Sequence, residues 1–329
     1  MAAHPESQRR RYAAWIAGVM VLASLLLAVL HASDFERFVA LVKGTEPAWF
    51  AVALLLQGAT YAAAAAVWQR AAAATGYRLE LRSLVPLGLA KLFTDQAFPS
   101  AGLSGTVLLA RGLARRGIPA SVAMEVLLVT LVSFYSAYLS AALLAVGVLW
   151  LHHEANVVLA GAVAVFALVA IAVPASVLWL KRWGTRSPPR WLERMPGIAT
   201  LLANVGQARG SLLRNPGLLV ESTLLQWGVF VLDALTLWAI SAALAEPASF
   251  ATVFVSFMMA SIVGTIGLVP LGLGTFEATC IATLHLLGIE VEVAVAVTLL
   301  FRGLSFWLPM APGLWLAHIE LRVAEPPTG

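Results

Sequence analysis

The sequence predicts an all-α integral membrane protein: about six full transmembrane helices plus two re-entrant helical hairpins in an inverted repeat. Three observations carry this. The 329 residues are 60% hydrophobic and only 12% charged, with mean hydropathy +0.87; soluble domains are about half apolar and about a quarter charged. Apolar runs of roughly 20 residues, each long enough to cross a bilayer, recur along the chain. Two further apolar regions are interrupted by Pro, Gly and Ser and make poor full spans.

Full spans are predicted at about 13–31, 48–69, 120–150, 157–180, 217–245 and 293–316. The first follows "RRRY" and ends near "HAS". Its apolar core is longer than a usual signal-peptide core, so it is expected to stay as an uncleaved span. The interrupted regions are 83–117 and 252–287. Each has a helix-like run, a Pro/Gly/Ser knot and a second run, the pattern of two half-helices. Broken backbone at membrane depth is tolerated only where it is buried in protein or lines a wet cavity. The link at 184–214 places Trp191, Leu192, Met195, Ile198, Leu201, Leu202 and Val205 at roughly helical spacing among arginines. It is read as a cytoplasmic amphipathic helix that connects the halves at the membrane surface.

Charge placement orients these elements. Arg9–Arg11, Arg70, Arg78, Arg82, Arg111, Arg115, Arg116 and the link arginines fall on one side if both interrupted regions return to the side they left. The other side carries "HHEAN", "EPAS" and "GIEVE" with no Lys or Arg; only the 32–47 loop is mixed. The basic side is therefore expected to be cytoplasmic, with both termini inside a bacterial inner membrane. The same pattern accounts for the net charge of +4, so nucleic-acid binding is not expected. With Cys280 as the one cysteine, no intrachain disulfide or multi-cysteine metal site can form. His152, His153 and Glu154 are adjacent and do not share a helix face, so no metal or cofactor is expected. No Ser/His/Asp order, P-loop, dinucleotide or HExxH signature stands out.

An internal repeat underlies the map. Pro99 and Pro270 are 171 positions apart, as are Gly117 and Gly288. The same shift lays span 48–69 on 217–245, and 120–150 on 293–316. Repeat one then covers about 13–150, and repeat two about 157–320 without the link. Each holds three crossings and one hairpin, so the second copy is inverted. One hairpin enters from the cytoplasm and the other from outside, and their tips, at Pro99 and Pro270, can meet near the midplane. Secondary transporters build substrate sites this way. The alternative is a duplicated scaffold without transport.

Half-helix N-termini present unpaired N–H groups and positive dipole, suited to phosphate or carboxylate. Here these lie at Gly102, Ser104 and Gly105, and at Gly272, Gly274 and Thr275. Glu277, in the first turn of the second returning half-helix, either favours that helix start or binds a proton or a headgroup amine. Arg302, roughly 14 Å into the last span, either forms an ion pair with Glu277 or Asp233 or contacts phosphate. Lys91 and Asp95, four apart, share a helix face and either cancel each other or act in a site. Asp233 lies mid-span and could carry a coupling proton. Arg111 is expected to snorkel, and Glu125 to sit at the interface.

The stretch "VPLGLGTFEA" resembles the transmembrane domain of the lysylphosphatidylglycerol synthase/flippase family, whose motif reads roughly P-G-G-x-G-x-x-E. Pro270, Gly272, Gly274 and Glu277 match, and Leu271 departs from the first glycine. "LLFRGLSFWLPMAPG" is similar to that family's last span, which places its arginine on Arg302. "FPSAGLSGTVLLARGLARRGI" resembles the first-half motif through Pro99, Gly102 and Gly105, without the glutamate some members have there. The resemblance spans roughly 15–320. It implies a domain that moves lipids across the bilayer; no soluble synthase domain lies within the 329 residues.

The expected function is therefore a lipid translocase working by alternating access, not an enzyme. Its expected partners are a phosphate-bearing membrane lipid, a further copy of the chain and a lipid-biosynthesis enzyme. The alternatives are a membrane enzyme acting on a lipid-linked substrate, with Asp95 and Lys91 as its pair, and a non-catalytic accessory subunit.

Overall fold

The computed structural model describes residues 44–97, 103–151, 211–246, 248–266 and 273–322, with scattered helical positions between 161 and 175. The expected span at 13–31, most of the link at 184–214, the "HHE" loop and the tip residues Pro99, Gly102, Pro270 and Gly272 lie outside the described residues.

The described residues are helical, with no strand among them. In order they form α1 (Pro47–Ala73), α2 (Leu81–Ala97), α3 (Leu103–Arg115) and α4 (Ala120–Leu151). After a 3-10 turn at Leu212–Arg214 come α5 (Pro216–Ala243), α6 (Phe250–Ile266), α7 (Thr275–Leu286) and α8 (Val291–Arg302). A π turn at Gly303–Trp307 leads into α9 (Leu308–Arg322). Four stretches are long and apolar enough to cross a membrane: α1, α4, α5 and the run Val291–Glu320. Their outward residues are apolar and uncovered, as at Leu55, Leu143, Leu224 and Trp315, as lipid-facing surface requires. This is a multi-pass membrane protein.

Local chemistry sets the helix ends. Pro47 and Pro216 open α1 and α5, where the missing N–H is not needed. Asn215 accepts the Leu218 N–H at 3.1 Å, and Ser249 accepts that of Thr252 at 3.0 Å, capping α5 and α6. Gly117 (φ 80°) and Gly288 (φ 94°) close α3 and α7 in the left-handed region. Ile118 N–H then reaches the Leu113 carbonyl, and Ile289 N–H that of Leu284.

The elements recur at the spacing seen in the sequence. Shifted by 171 positions, α1, α2, α3 and α4 become 218–244, 252–268, 274–286 and 291–322. Those ranges fall within two residues of α5, α6, α7 and the run from α8 to α9. Four of the helices are short: 17 and 13 residues for α2 and α3, 17 and 12 for α6 and α7. At 1.5 Å per residue each spans about 18–26 Å, short of a roughly 30 Å hydrocarbon core.

The described residues divide into two compact units. The first holds α1 up to Gly58, α4 from Ala141, α5 from Val231, then α6, α7, α8 and the π turn to Leu308. There α1 and α5 run antiparallel: Glu46 N–H reaches the Ala243 carbonyl at 2.8 Å, and Trp49 packs edge-on against Trp238. The second unit holds the rest of α1, α2, α3, α4 to Ser140, α5 to Phe230, and α9 from Pro309. Its core joins Trp68, Leu84, Leu87, Leu109, Leu113 and Met124. In lipid, no hydrophobic force drives helices together, so close packing of small residues must. Gly112 meets Leu87 with no room for a Cβ, and Ala65, Ala71 and Ala72 are fully buried.

Candidate functional site

In the first unit, α7 and α8 form a tight antiparallel pair around the turn at Gly288. Glu277 and Arg302 lie twelve and thirteen residues from Ile289 on either side, so the register brings them level. Arg302 Nε donates to Glu277 Oε1 at 2.6 Å. The other carboxylate oxygen, Oε2, accepts the Gly274 N–H at 2.7 Å. Gly274 holds φ 80°; the chain there turns into α7 through a conformation that L side chains resist. Glu277 thus does two jobs: it satisfies a buried N–H beside the start of α7, and it neutralises Arg302.

The pair is enclosed. The Glu277 side chain is 2% exposed and that of Arg302 12%. The guanidinium lies between two rings, 5.0 Å from the Phe276 centroid and 4.4 Å from that of Phe306. Phe276 also stacks on Phe301, and Phe257 meets both edge-on. These rings hold the guanidinium plane by cation–π attraction while leaving its edges free for hydrogen bonds. Nε faces Glu277, while Nη2 is buried and has no hydrogen-bond partner among the described residues. Arg302 is the last residue before the π turn. Pro309, which has no N–H for a carbonyl one turn back, explains a helix disturbed just there.

Asp233 meets Gln57. Gln57 Nε2 approaches Asp233 Oδ1 at 3.4 Å, between α1 and α5. Gln57 is itself buried, and its Oε1 finds no partner among the described residues. A cavity of about 380 Å³ opens elsewhere in this unit, among Leu149, Ser249, Thr252, Val255 and Gly288. None of the candidate residues lines it.

In the second unit, Lys91 Nζ binds Asp95 Oδ2 at 2.6 Å along α2. Asp95 Oδ1 accepts the Gly105 N–H at 2.9 Å, and Ser104 Oγ donates to the Thr94 carbonyl at 3.0 Å. A Cβ on Gly105 would collide with the Asp95 carboxyl. Residue 105 must therefore lack a side chain for the carboxylate to reach the first turn of α3.

The two hairpins solve one problem differently. In both, a carboxylate accepts an N–H where the second short helix begins, and a cation neutralises it. Asp95 comes from the first short helix, Glu277 from the second. At a shift of 171 positions, Asp95 corresponds to Ile266 and Glu277 to Thr106. Among the expected residues, Glu277, Arg302, Gly274 and Thr275 gather in the first unit; Lys91, Asp95, Ser104 and Gly105 gather in the second.

Several participants were not singled out from sequence. Phe306 lies four residues past Arg302, one helical turn on, whereas Phe276 reaches it from α7 and gives no local signal. Gln57 and Glu320 gave no local signal, because their partners are far away in the chain. Glu125 is buried in the protein, and its Oε2 accepts hydrogen bonds from Ser211 Oγ at 2.8 Å and the Leu212 N–H at 3.2 Å. It ties the end of the link to α4.

No curated protein matches the chain. A family model, the lysylphosphatidylglycerol synthase transmembrane region, matches residues 15–313. The chain, with its broken helices and its buried Glu277–Arg302 pair, therefore belongs to the lysylphosphatidylglycerol synthase transmembrane-region family.

Proposed function

We propose that the protein moves a phosphate-bearing membrane lipid between leaflets, by alternating access between two inverted repeats, without altering it chemically. The observation that carries this is Arg302. It is neutralised on one edge, braced by two rings and left with an unused buried donor, Nη2. A guanidinium held this way can give a further hydrogen bond to a phosphate oxygen without being pulled from its pair. The lipid's acyl chains stay in the bilayer, and the headgroup passes Arg302.

The recurrence of helix bounds at a shift of 171 supports the repeat, and an odd number of crossings per copy makes the second one inverted. The basic side is cytoplasmic by its arginines, with both termini inside a bacterial inner membrane. Partners on this reading are the lipid, a second copy of the chain and an enzyme that makes the lipid. Asp95 and Lys91 bind each other and a helix start, which suits a structural part better than an acid–base pair and favours translocation over catalysis. Coupling to a proton would fall to Asp233 or Glu277.

Reconstitution tests this. Fluorescent phospholipid in proteoliposomes should exchange leaflets faster than in empty vesicles, and Arg302→Gln should abolish the gain. A wild-type rate equal to that of empty vesicles sinks the proposal. So does a lipid chemically changed in one leaflet with no transbilayer movement.

A further inference from the structure

The α2–α3 hairpin is held on its two sides by unlike forces. Within itself it is firmly joined. Asp95 and Ser104 close it at one end, Leu87 fills the space over Gly112, and Arg116 Nη2 donates to the Ser83 carbonyl at 2.9 Å at the other end. One side packs into the large core with α1, α4 and Leu212, through Trp68, Met124 and their neighbours. The other side meets α9 across a small cluster: Ala90, Leu108 and Ala317, with Phe93 and Leu316 at its edge.

Charge supplements that thin contact. Glu320 of α9 receives Arg115 Nη1 at 3.1 Å on Oε2 and Arg116 Nη2 at 2.9 Å on Oε1. Glu320 is 14% exposed, and the arginines 26% and 20%. One carboxylate therefore bridges two cations at the end of α3, and one of those cations also ties back to α2. Close by, Gly313 lies so near the Leu89 carbonyl that a Cβ would approach it to 2.8 Å. At Gly313 the helices meet through backbone and the Phe93 Cβ, and the apolar cluster of the seam is far smaller than the core on the opposite side. Parting such a seam exposes little apolar surface. The broad apolar core on the opposite side cannot open without leaving voids.

We infer that Glu320, with Arg115 and Arg116, is a releasable latch, and that the α2–α3 hairpin swings as a rigid piece away from α9 while staying seated on the core shared with α1 and α4. Glu320 is a positioning residue: it fixes where the hairpin rests. The latch stands whether or not a lipid is moved, since its opening needs no substrate.

Thiol accessibility in the full-length protein tests it. Cys280, the native cysteine, is buried and is replaced by alanine. Single cysteines are then placed at Ala317, in the seam, and at Ala123, in the large core. N-ethylmaleimide should label Ala317→Cys slowly in the parent and about tenfold or more faster with Glu320→Gln, the ratio expected if about 1.4 kcal/mol of local closure is lost. Labelling of Ala123→Cys should not change. Arg115→Gln/Arg116→Gln should reproduce the acceleration, and adding Glu320→Gln to that pair should add nothing, because all three belong to one latch. Unchanged labelling at position 317 would overturn the inference. Equal acceleration at 317 and 123 would also overturn it, by showing general loosening.

Discussion

Glu277 and Arg302 bear the largest energetic consequence of the site, and a double-mutant cycle measures it. Arg302→Met removes the cation but keeps most of the apolar stem. It leaves a carboxylate that is 2% exposed with only the Gly274 N–H as partner. Glu277→Gln keeps the shape but turns at most one acceptor toward two donors, Arg302 Nε and Gly274 N–H. Breaking a buried pair by removing one partner costs about 3–5 kcal/mol. The cation–π contacts of Arg302 survive in the glutamine variant and retain about 1–2 kcal/mol, so that variant should fall near the lower bound. The double variant, Glu277→Gln/Arg302→Met, leaves no unpaired charge and a glutamine that can still accept from Gly274. It should recover part of the summed loss, giving a coupling energy of about 2–4 kcal/mol. Equilibrium unfolding in mixed detergent micelles, followed by circular dichroism, reads all four corners. Single variants each costing under about 1 kcal/mol, or a double variant as unstable as the two losses added, would refute the reasoning. If the double variant is stable yet moves no lipid, the charges serve more than the fold.

Glycine positions give a sharper contrast than any general rule about glycine in helices. Gly105→Ala should destabilise by about 1–3 kcal/mol, because its methyl group meets the Asp95 carboxyl; adding Asp95→Ala should relieve part of that in the same unfolding measurement. Gly58→Ala has nothing within 4 Å of the new carbon and should be neutral or stabilising by up to about 1 kcal/mol through helix propensity. Glu125→Ala should free the end of the link, leaving Ser211 and Leu212 without their shared acceptor at a cost of about 1–3 kcal/mol. Trypsin cleavage after the exposed Arg214 should then accelerate while the rest of the fold stays resistant.

Long apolar runs were legible from composition alone, and their ends were legible where Pro or Gly forced them. Pro47, Pro216, Gly117 and Gly288 each mark a boundary that the helices respect. The last span was not legible as it stands. Its apolar pattern reads as one helix over 293–316, yet the helix changes to a π turn at Gly303–Trp307. Pro309 was in plain view, but hydropathy does not register the carbonyl it leaves unserved. The Glu277–Arg302 pairing was half legible. Both residue types stood out, and the turn at Gly288 fixes them level, but the sequence offered Asp233 as a candidate beside Glu277. Glu320 was beyond reach, since its partners lie 204 and 205 positions earlier.

The two hairpins share a requirement rather than a sequence motif. A half-helix that begins inside a membrane protein exposes N–H groups where water is absent, and something must accept from them. A backbone that repeats at a shift of 171 positions therefore repeats that need at both places. The residues that meet it do not repeat: Asp95 reaches across to Gly105, while Glu277 folds back to Gly274. Each carboxylate then requires a cation, and here the two solutions diverge in consequence. Lys91 lies on the same helix as Asp95 and can only neutralise it locally. Arg302 comes from another helix, brings planar geometry and retains a spare donor. A scaffold whose short helices recur at that shift thus carries two neutralised helix starts. It is the choice of an arginine from a second helix at one of them that turns a cap into a candidate binding site.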